Sequence, residues 1–378
     1  MKLTGPDPSM IYLDHNATSP IRPEVIEEMN RVMKMGGNPS SVHAVGRQAK
    51  SILEESRQTI AQIINCRAQK IIFTGGGTEA NNLALNIKAV DHIIISATEH
   101  DSVAQVQKNF EGRIDILPVD KNGLVRQEHL SNALADATGN SLVSIMLANN
   151  ETGVLQDVKS LARISHEAGA LFHTDAIQAF GKIPIDFRAL GVDLMSISAH
   201  KLGGPQGVGA LVALEKIILA PLTYGGGQEV GRRSGTENLA GIAGFARAVS
   251  LVPQNIHAMK TCERIRNRIE QEIEQIAPEV YFYGAAENRL PNTSTILMPG
   301  ISSETQVMAF DLDGLCLSAG SACSSGKVKP SHVVLAMGAS QDQALSTVRI
   351  SLGIDTTEQD ADAFIAAWKK LYNRKKIS

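Results

Sequence analysis

The strongest constraint on the fold lies between residues 71 and 213, where short apolar runs alternate with amphipathic stretches. IIF (Ile71–Phe73) predicts a strand, and the following TGGGTEANNLALNI predicts a Gly-rich turn that opens a helix. Further strands are expected at Ile93–Ser96, Ile114–Leu117, Leu142–Leu147, Ala170–Thr174, Leu194–Ile197 and Val208–Val212. Helical segments such as Ser160–Ala168 fall between several of them. This alternation predicts an α/β fold with a mainly parallel sheet covered by helices. Upstream, Arg22-Pro23 before EVIEEMNRVMKM reads as a helix with Pro at its first position. A longer helix follows from about His43 to Ile64.

Past about Pro253 the pattern changes to a charged amphipathic helix (Met259–Ile276), short strands, and helices at Ser303–Leu312 and Thr357–Tyr372. That reads as a smaller α+β domain. At roughly 100–200 residues per domain, a chain of this length suggests two. The expected large domain covers residues 13–253, and the small domain covers 1–12 and 254–378.

Composition narrows the function classes. Hydrophobic residues make up 43% and charged residues 20%, which supports an ordinary globular core. A net charge of −3 gives no general ground for nucleic-acid or membrane binding. The cluster Lys369, Lys370, Arg374, Lys375 and Lys376 reads as a solvated helix end. No apolar run reaches the ~18–20 residues of a membrane span. The opening MKLTGPDPSM lacks the apolar centre of a signal peptide and is set aside as a flexible lead. Cys66, Cys262, Cys316 and Cys323 match no zinc spacing, so no metal site is expected. Reduced thiols in a cytoplasmic setting are the expectation.

Three segments carry chemistry. In SAHKLGGPQG, Lys201 follows an apolar strand and runs into Gly203, Gly204 and Gly207. A lysine there suits a Schiff base with an aldehyde cofactor, and the glycines leave room for a flat ring or a phosphate. A surface lysine in a polar loop is the plainer alternative. In ALFHTDAIQ, Asp175 comes at a strand's carboxyl end, where ligands of open α/β sheets gather. A buried carboxylate needs a cationic partner, and a protonated pyridine nitrogen would be one. The alternative is a helix N-cap. Gln178, three residues on, could meet a ring hydroxyl. Gly75-Gly76-Gly77-Thr78-Glu79 stands between strand and helix, where free backbone N–H groups cradle phosphate. A tight turn is the alternative.

Two more residues stand out. In TVRISLG, Val348, Ile350 and Leu352 share one strand face, and Arg349 points the other way. Its fork fits a carboxylate bidentately, and a structural salt bridge is equally compatible. Cys323 sits in SAGSACSSGKVKPSH, a Gly/Ser-rich run that reads as a mobile loop. Small polar flanks argue against a packed cysteine, and a loop thiolate can carry sulfur. Cys316, between apolar neighbours, is expected in the core, and Cys66 and Cys262 in helical segments.

The segments IYLDHNAT, TEANNLAL, SATEHDSV, ANNETGVLQD, HTDAIQAFGK, SISAHK, RRSGTEN, GSACSSG and RISLG, in this order, resemble cysteine desulfurases of the NifS/IscS type. These belong to the class-V aminotransferases, fold-type I enzymes of pyridoxal 5′-phosphate (PLP). The resemblance runs from about Ile11 to Gly353. It implies PLP as cofactor, with Lys201 as the Schiff-base lysine, Asp175 as the pyridinium partner and Gln178 at the ring hydroxyl. It implies that His100 stacks over the ring and moves protons. Gly77, Thr78, Ser198 and His200 are implied at the phosphate, with Thr236 reaching it from the partner subunit of a homodimer. Asn150 and Arg349 are implied to hold the substrate carboxylate, with Asn149 as the neighbouring alternative to Asn150. Cys323, in the small domain, is implied to accept the sulfur of L-cysteine as a persulfide, leaving alanine, and could ligate an iron–sulfur cluster transiently.

The implied partners are sulfur-acceptor or scaffold proteins. Iron–sulfur cluster assembly is the expected destination, and thiolated tRNA and nitrogenase maturation are also compatible. A selenocysteine lyase or an aminotransferase of the same fold is the alternative function, and a scaffold that has lost catalysis the alternative class. The chain departs from the family pattern at Gly75 and Gly77, where Ser and Ala are usual, and at Gly203 and Gln206, where Tyr and Lys are usual.

Overall fold

The computed structural model describes residues 10–137, 139–322 and 328–375. Its centre is a seven-stranded sheet in the order Ile71–Thr74, Gly209–Ala213, Leu194–Ser198, Leu171–Asp175, Ser141–Ser144, His92–Ser96 and Arg113–Leu117. The last five strands run parallel; Gly209–Ala213 is antiparallel to both of its neighbours. The five inner strands are buried, apart from half-buried Leu171 at the start of one, as expected for strands covered on both faces. The predicted strand at Leu142–Leu147 stops at Ser144, because Leu147 and Ala148 turn into the bend closed by the Ala148–Leu155 bridge.

Helices cover both faces. Pro23–Met35 begins at its proline, as the sequence predicts. It packs with Ala44–Ile63 and the apolar Leu239–Ser250 against the face carrying Phe73, Val143, Phe172, Met195 and Ile197. Gly77–Leu85 packs on the other face, with Ile72, Ile93, Ile95 and Leu211. The N-terminal turn of Gly77–Leu85 follows Gly76, whose φ of 149° and ψ of −178° suit glycine.

A second, antiparallel sheet has the order Ser318–Ala319, Thr347–Ser351, Thr293–Leu297 and Tyr281–Tyr283. Val252–Ile276, Ser303–Leu312 and Glu358–Lys375 build a separate apolar core with it, centred on Phe310, Ile350, Phe364 and Trp368. The expected boundary at 253/254 falls in the first turn of Val252–Ile276, beside Pro253. Ile11–Tyr12 pairs in parallel with Leu315–Cys316, so the N-terminal segment crosses to this second sheet.

Candidate active site

A cavity of about 450 Å³ opens where the carboxyl ends of the parallel strands meet the second sheet. Gly77, Thr78, His100, Asn150, Asp175, Gln178, Ser198, His200, Lys201 and Arg349 all line it. These come from six separate segments of sequence. Thr236 is exposed and lines neither this cavity nor the adjoining one at Gly75–Thr78. Its loop is anchored from behind: Glu229 is buried against Arg57 in a two-pronged ion pair at 2.8 Å and accepts from the Phe73 amide. Cys323 lies outside the described residues. Its described flanks, Ser321–Ala322 and Val328–Lys329, pair antiparallel, and Ser318–Gly320 line the cavity.

Lys201 sits in a short 3-10 turn, Ala199–Leu202, directly after Leu194–Ser198. Gly203 ends that turn at φ 82°, and a Cβ there would meet Arg22 Cγ at 2.8 Å. Glycine at this position therefore has a packing reason in this chain. Lys201 Nζ donates to the carbonyls of Asn16 (2.5 Å) and Ala17 (2.7 Å). Burial, and then the Arg349 cation, lower its pKa to about 8, against the opposing pull of Asp14 and Asp175.

Asp175 is only 6% exposed. No helix follows its strand, so the N-cap alternative lapses. One carboxylate oxygen accepts from the Ile177 amide (2.9 Å) and the other from Asn81 Nδ2 (2.7 Å). Burial still raises its pKa, although these bonds and the neighbouring His100 and Lys201 favour the charged form. A cation held against this carboxylate would relieve that cost.

Asn81 was not given a role in the sequence. Its Nδ2 also donates to Ser102 Oγ (2.8 Å), which lies 2.8 Å from His100 Nδ1. The chain Asp175–Asn81–Ser102–His100 thus ties the imidazole to the buried acid. The signal was a polar residue on the buried face of a helix whose other inward positions are Ala80, Leu83 and Ala84.

Ser198 Oγ is buried with no partner among the described residues, at the side of the cavity nearest Gly77. The Gly77–Leu85 helix has no side-chain cap, which leaves its first amide groups for an anion. His200 lines the same region, and burial lowers its pKa to about 4. A Cβ on Gly77 would meet Ile177 Cδ1 at 2.3 Å, so the glycine is matched to this isoleucine. An acid at one end and an uncapped helix with an orphaned hydroxyl at the other fit a flat, phosphorylated pyridine of PLP's type.

Arg349 makes the structural salt bridge that one of its readings expects. Nη2 pairs with Asp14 at 2.6 Å and Nη1 donates to the Asn150 carbonyl at 3.0 Å, while Nε is buried without a partner among the described residues. Asn149 turns away: its Oδ1 accepts from the amides of Glu151 and Thr152, and its Nδ2 donates to the Thr98 carbonyl. Asn150 is the one of the pair that lines the cavity.

Two cysteine expectations need correction. Cys316 is half-buried, because strand alternation turns Leu315 and Leu317 into the core instead. Cys66 lies beyond the end of Ala44–Ile63, in the turn that follows it. Cys262 is helical and buried, and its thiol donates to the Gly353 carbonyl. Among the described residues, no helix is long and apolar enough to cross a membrane.

The class-V aminotransferase family profile matches residues 11–364. Cysteine desulfurase IscS of Dictyoglomus turgidum is 41% identical over 361 residues, covering 93% of this chain and 91% of the relative. The putative cysteine desulfurase IscS 1 of Bacillus subtilis is 39% identical, with 92% and 95% covered. The solved structure of a NifS-like protein from Rickettsia africae superposes with a TM-score of 0.90 at 39% identity, covering 96% of this chain and 99% of that one. The chain belongs to the class-V aminotransferase family, among the cysteine desulfurases of the NifS/IscS type.

Proposed function

We propose that this chain is a PLP-dependent cysteine desulfurase that removes sulfur from L-cysteine, releases L-alanine and passes the sulfur on as a persulfide of Cys323. The observation that carries the reading is the convergence of Lys201, Asp175, His100, Ser198 and Arg349 on one cavity whose two ends differ in chemistry. Lys201 would hold the cofactor's aldehyde. Asp175 would face its ring nitrogen, Gln178 its ring oxygen, and Gly77, Thr78, Ser198 and His200 its phosphate. When bound, PLP supplies an electron sink that labilises bonds at the substrate's α-carbon.

The chain's own groups do the rest. Arg349, with an unpartnered Nε, and Asn150 would receive the substrate carboxylate. A pKa of about 8 leaves part of Lys201 neutral near pH 7.5, able to take the α-proton. His100, fixed through Ser102 and Asn81, is placed to move protons beside it. The Cys323 thiolate would attack the substrate sulfur, forming the S–S bond as the C–S bond breaks, with the electron pair and a proton ending on alanine's β-carbon. Thr236, exposed on its anchored loop, would complete the phosphate site of a second subunit in a homodimer. Sulfur acceptors, including those of iron–sulfur cluster assembly, would take the persulfide.

The test is to incubate the protein with PLP, cysteine and a thiol, and to measure alanine and sulfide together. Borohydride reduction should place the pyridoxyl mass on Lys201. Alkylation after cysteine treatment should find one extra sulfur on the Cys323 peptide. Cys323→Ser should bind PLP yet release almost no alanine. Near-normal alanine from that variant, or the added sulfur on Cys316, would overturn the assignment.

A further inference from the structure

Behind the cavity lies a lysine with no role so far. Lys182 is 4% exposed and does not line the main cavity; it borders a space of about 60 Å³ on the far side of Lys201. Its Nζ donates to Asn16 Oδ1 at 2.7 Å and to Gln178 Oε1 at 2.8 Å. Among the described residues it makes no salt bridge. The titratable and charged groups around it are Lys201, Arg349, His15 and Cys262. Burial, and then the Lys201 and Arg349 cations, push its pKa well below the usual lysine range, and an amine buried without a carboxylate partner is costly. Its retention here asks for a purpose.

The amides it touches can be oriented in only one way. Gln178 Nε2 faces the Asn16 carbonyl at 2.9 Å, and a carbonyl oxygen only accepts. Asn16 Nδ2 faces the Asn150 carbonyl at 3.1 Å and Thr293 Oγ1 at 2.9 Å. Both amide oxygens must therefore turn to Lys182. With its oxygen held there and one N–H spent on Asn16, Gln178 has its second N–H left for the cavity. The Asn16 carbonyl, fixed by the same arrangement, receives both Gln178 and Lys201.

We propose that Lys182 is a positioning residue that fixes Gln178 with an N–H towards the cavity, so that this spot selects an anionic oxygen, and that holds Asn16 beneath Lys201. The proposal rests on the reading of the cavity as a PLP site, where that oxygen is the ring oxygen. Without Lys182 the Gln178 amide keeps only its bond to the Asn16 carbonyl, its oxygen loses its donor, and a turn of the side chain can offer that oxygen to the cavity, where it repels an anion.

The experiment compares wild type, Lys182→Met, Gln178→Ala and the double variant, each loaded with PLP. Two quantities are read: the PLP dissociation constant of the cofactor-free protein, and the pH midpoint of the bound chromophore's visible band. A donor to the ring oxygen favours its anionic form and lowers the basicity of the group conjugated to it. Lys182→Met should weaken PLP binding and raise the midpoint by on the order of one pH unit. Gln178→Ala should do the same, and the double variant should match Gln178→Ala alone, because Lys182 acts through that amide. A merely structural lysine would lower thermal stability and leave the midpoint where it is in wild type. That result, or fully additive effects on the midpoint, overturns the proposal. If Lys182→Met does not fold, Lys182→Leu carries the same test, because it too removes the N–H donors that hold the Gln178 and Asn16 oxygens. A raised midpoint then supports the proposal and a wild-type midpoint refutes it. Failure of wild type to bind PLP would refute the cofactor reading instead.

Discussion

The depressed pKa of Lys201 can be tested on the protein before any cofactor is added. Two carbonyl acceptors, at 2.5 and 2.7 Å, favour the ammonium. Burial and the nearby Arg349 cation outweigh them and bring the pKa to about 8. At that value about 10% of the side chain is neutral at pH 7 and about 90% at pH 9. An ordinary exposed lysine, near 10.4, goes from about 0.04% to about 4% over the same interval. Reactivity of Lys201 towards an amine-acylating reagent should therefore rise about 9-fold and level off, while exposed lysines rise about 100-fold and keep rising. Competitive trace labelling followed by peptide quantification reads both in one sample. Half-burial slows the absolute rate at Lys201 but leaves the shape of the profile intact. Folding lowers this pKa, so the unfolded chain holds the extra proton between about pH 8 and 10.4. The contribution of Lys201 to stability consequently rises with pH across that window. A Lys201 profile parallel to the exposed lysines up to pH 10 would refute the reasoning.

Arg349→Ala should raise KM for cysteine on the order of 10–150-fold, from about 1.5–3 kcal/mol for a charged hydrogen bond, with PLP content retained. An unchanged KM would leave Arg349 with its structural bonds to Asp14 and the Asn150 carbonyl. Co-refolding inactive Lys201→Ala with inactive Thr236→Ala should restore activity, because some sites in the hybrid dimer then have both residues. Hybrid dimers without activity would sink the shared site.

Much of the fold was legible because apolar runs and their spacing mark buried elements directly. Pro23 announced its helix to the residue, and the seven central strands were each found within a few positions. Periodicity says nothing of strand direction, so the antiparallel run of Gly209–Ala213 was invisible. In the site, residues whose chemistry is unusual in its setting stood out: a lysine at a strand end, an aspartate after apolar residues, an arginine on a strand. Those that act by holding others did not. Asn16 lies 162 residues from Gln178 and 185 from Lys201, Asn81 lies 94 from Asp175, and Lys182 lies four from Gln178 in a turn without periodicity. Asn149 and Asn150 were indistinguishable in sequence because only the backbone bend decides which side chain faces inward.

Asn16 also has a consequence for how the protein is made. Its hydrogen-bonding groups are met by Gln178, Lys182 and Lys201, but also by Thr293, Asn292 and the hydroxyl of Ser351. In a chain emerging from the ribosome, Asn16 precedes its last partner by 335 residues. The central sheet can assemble while synthesis continues, yet the cavity floor stays open until residue 351 arrives, and a product terminated before that point lacks it.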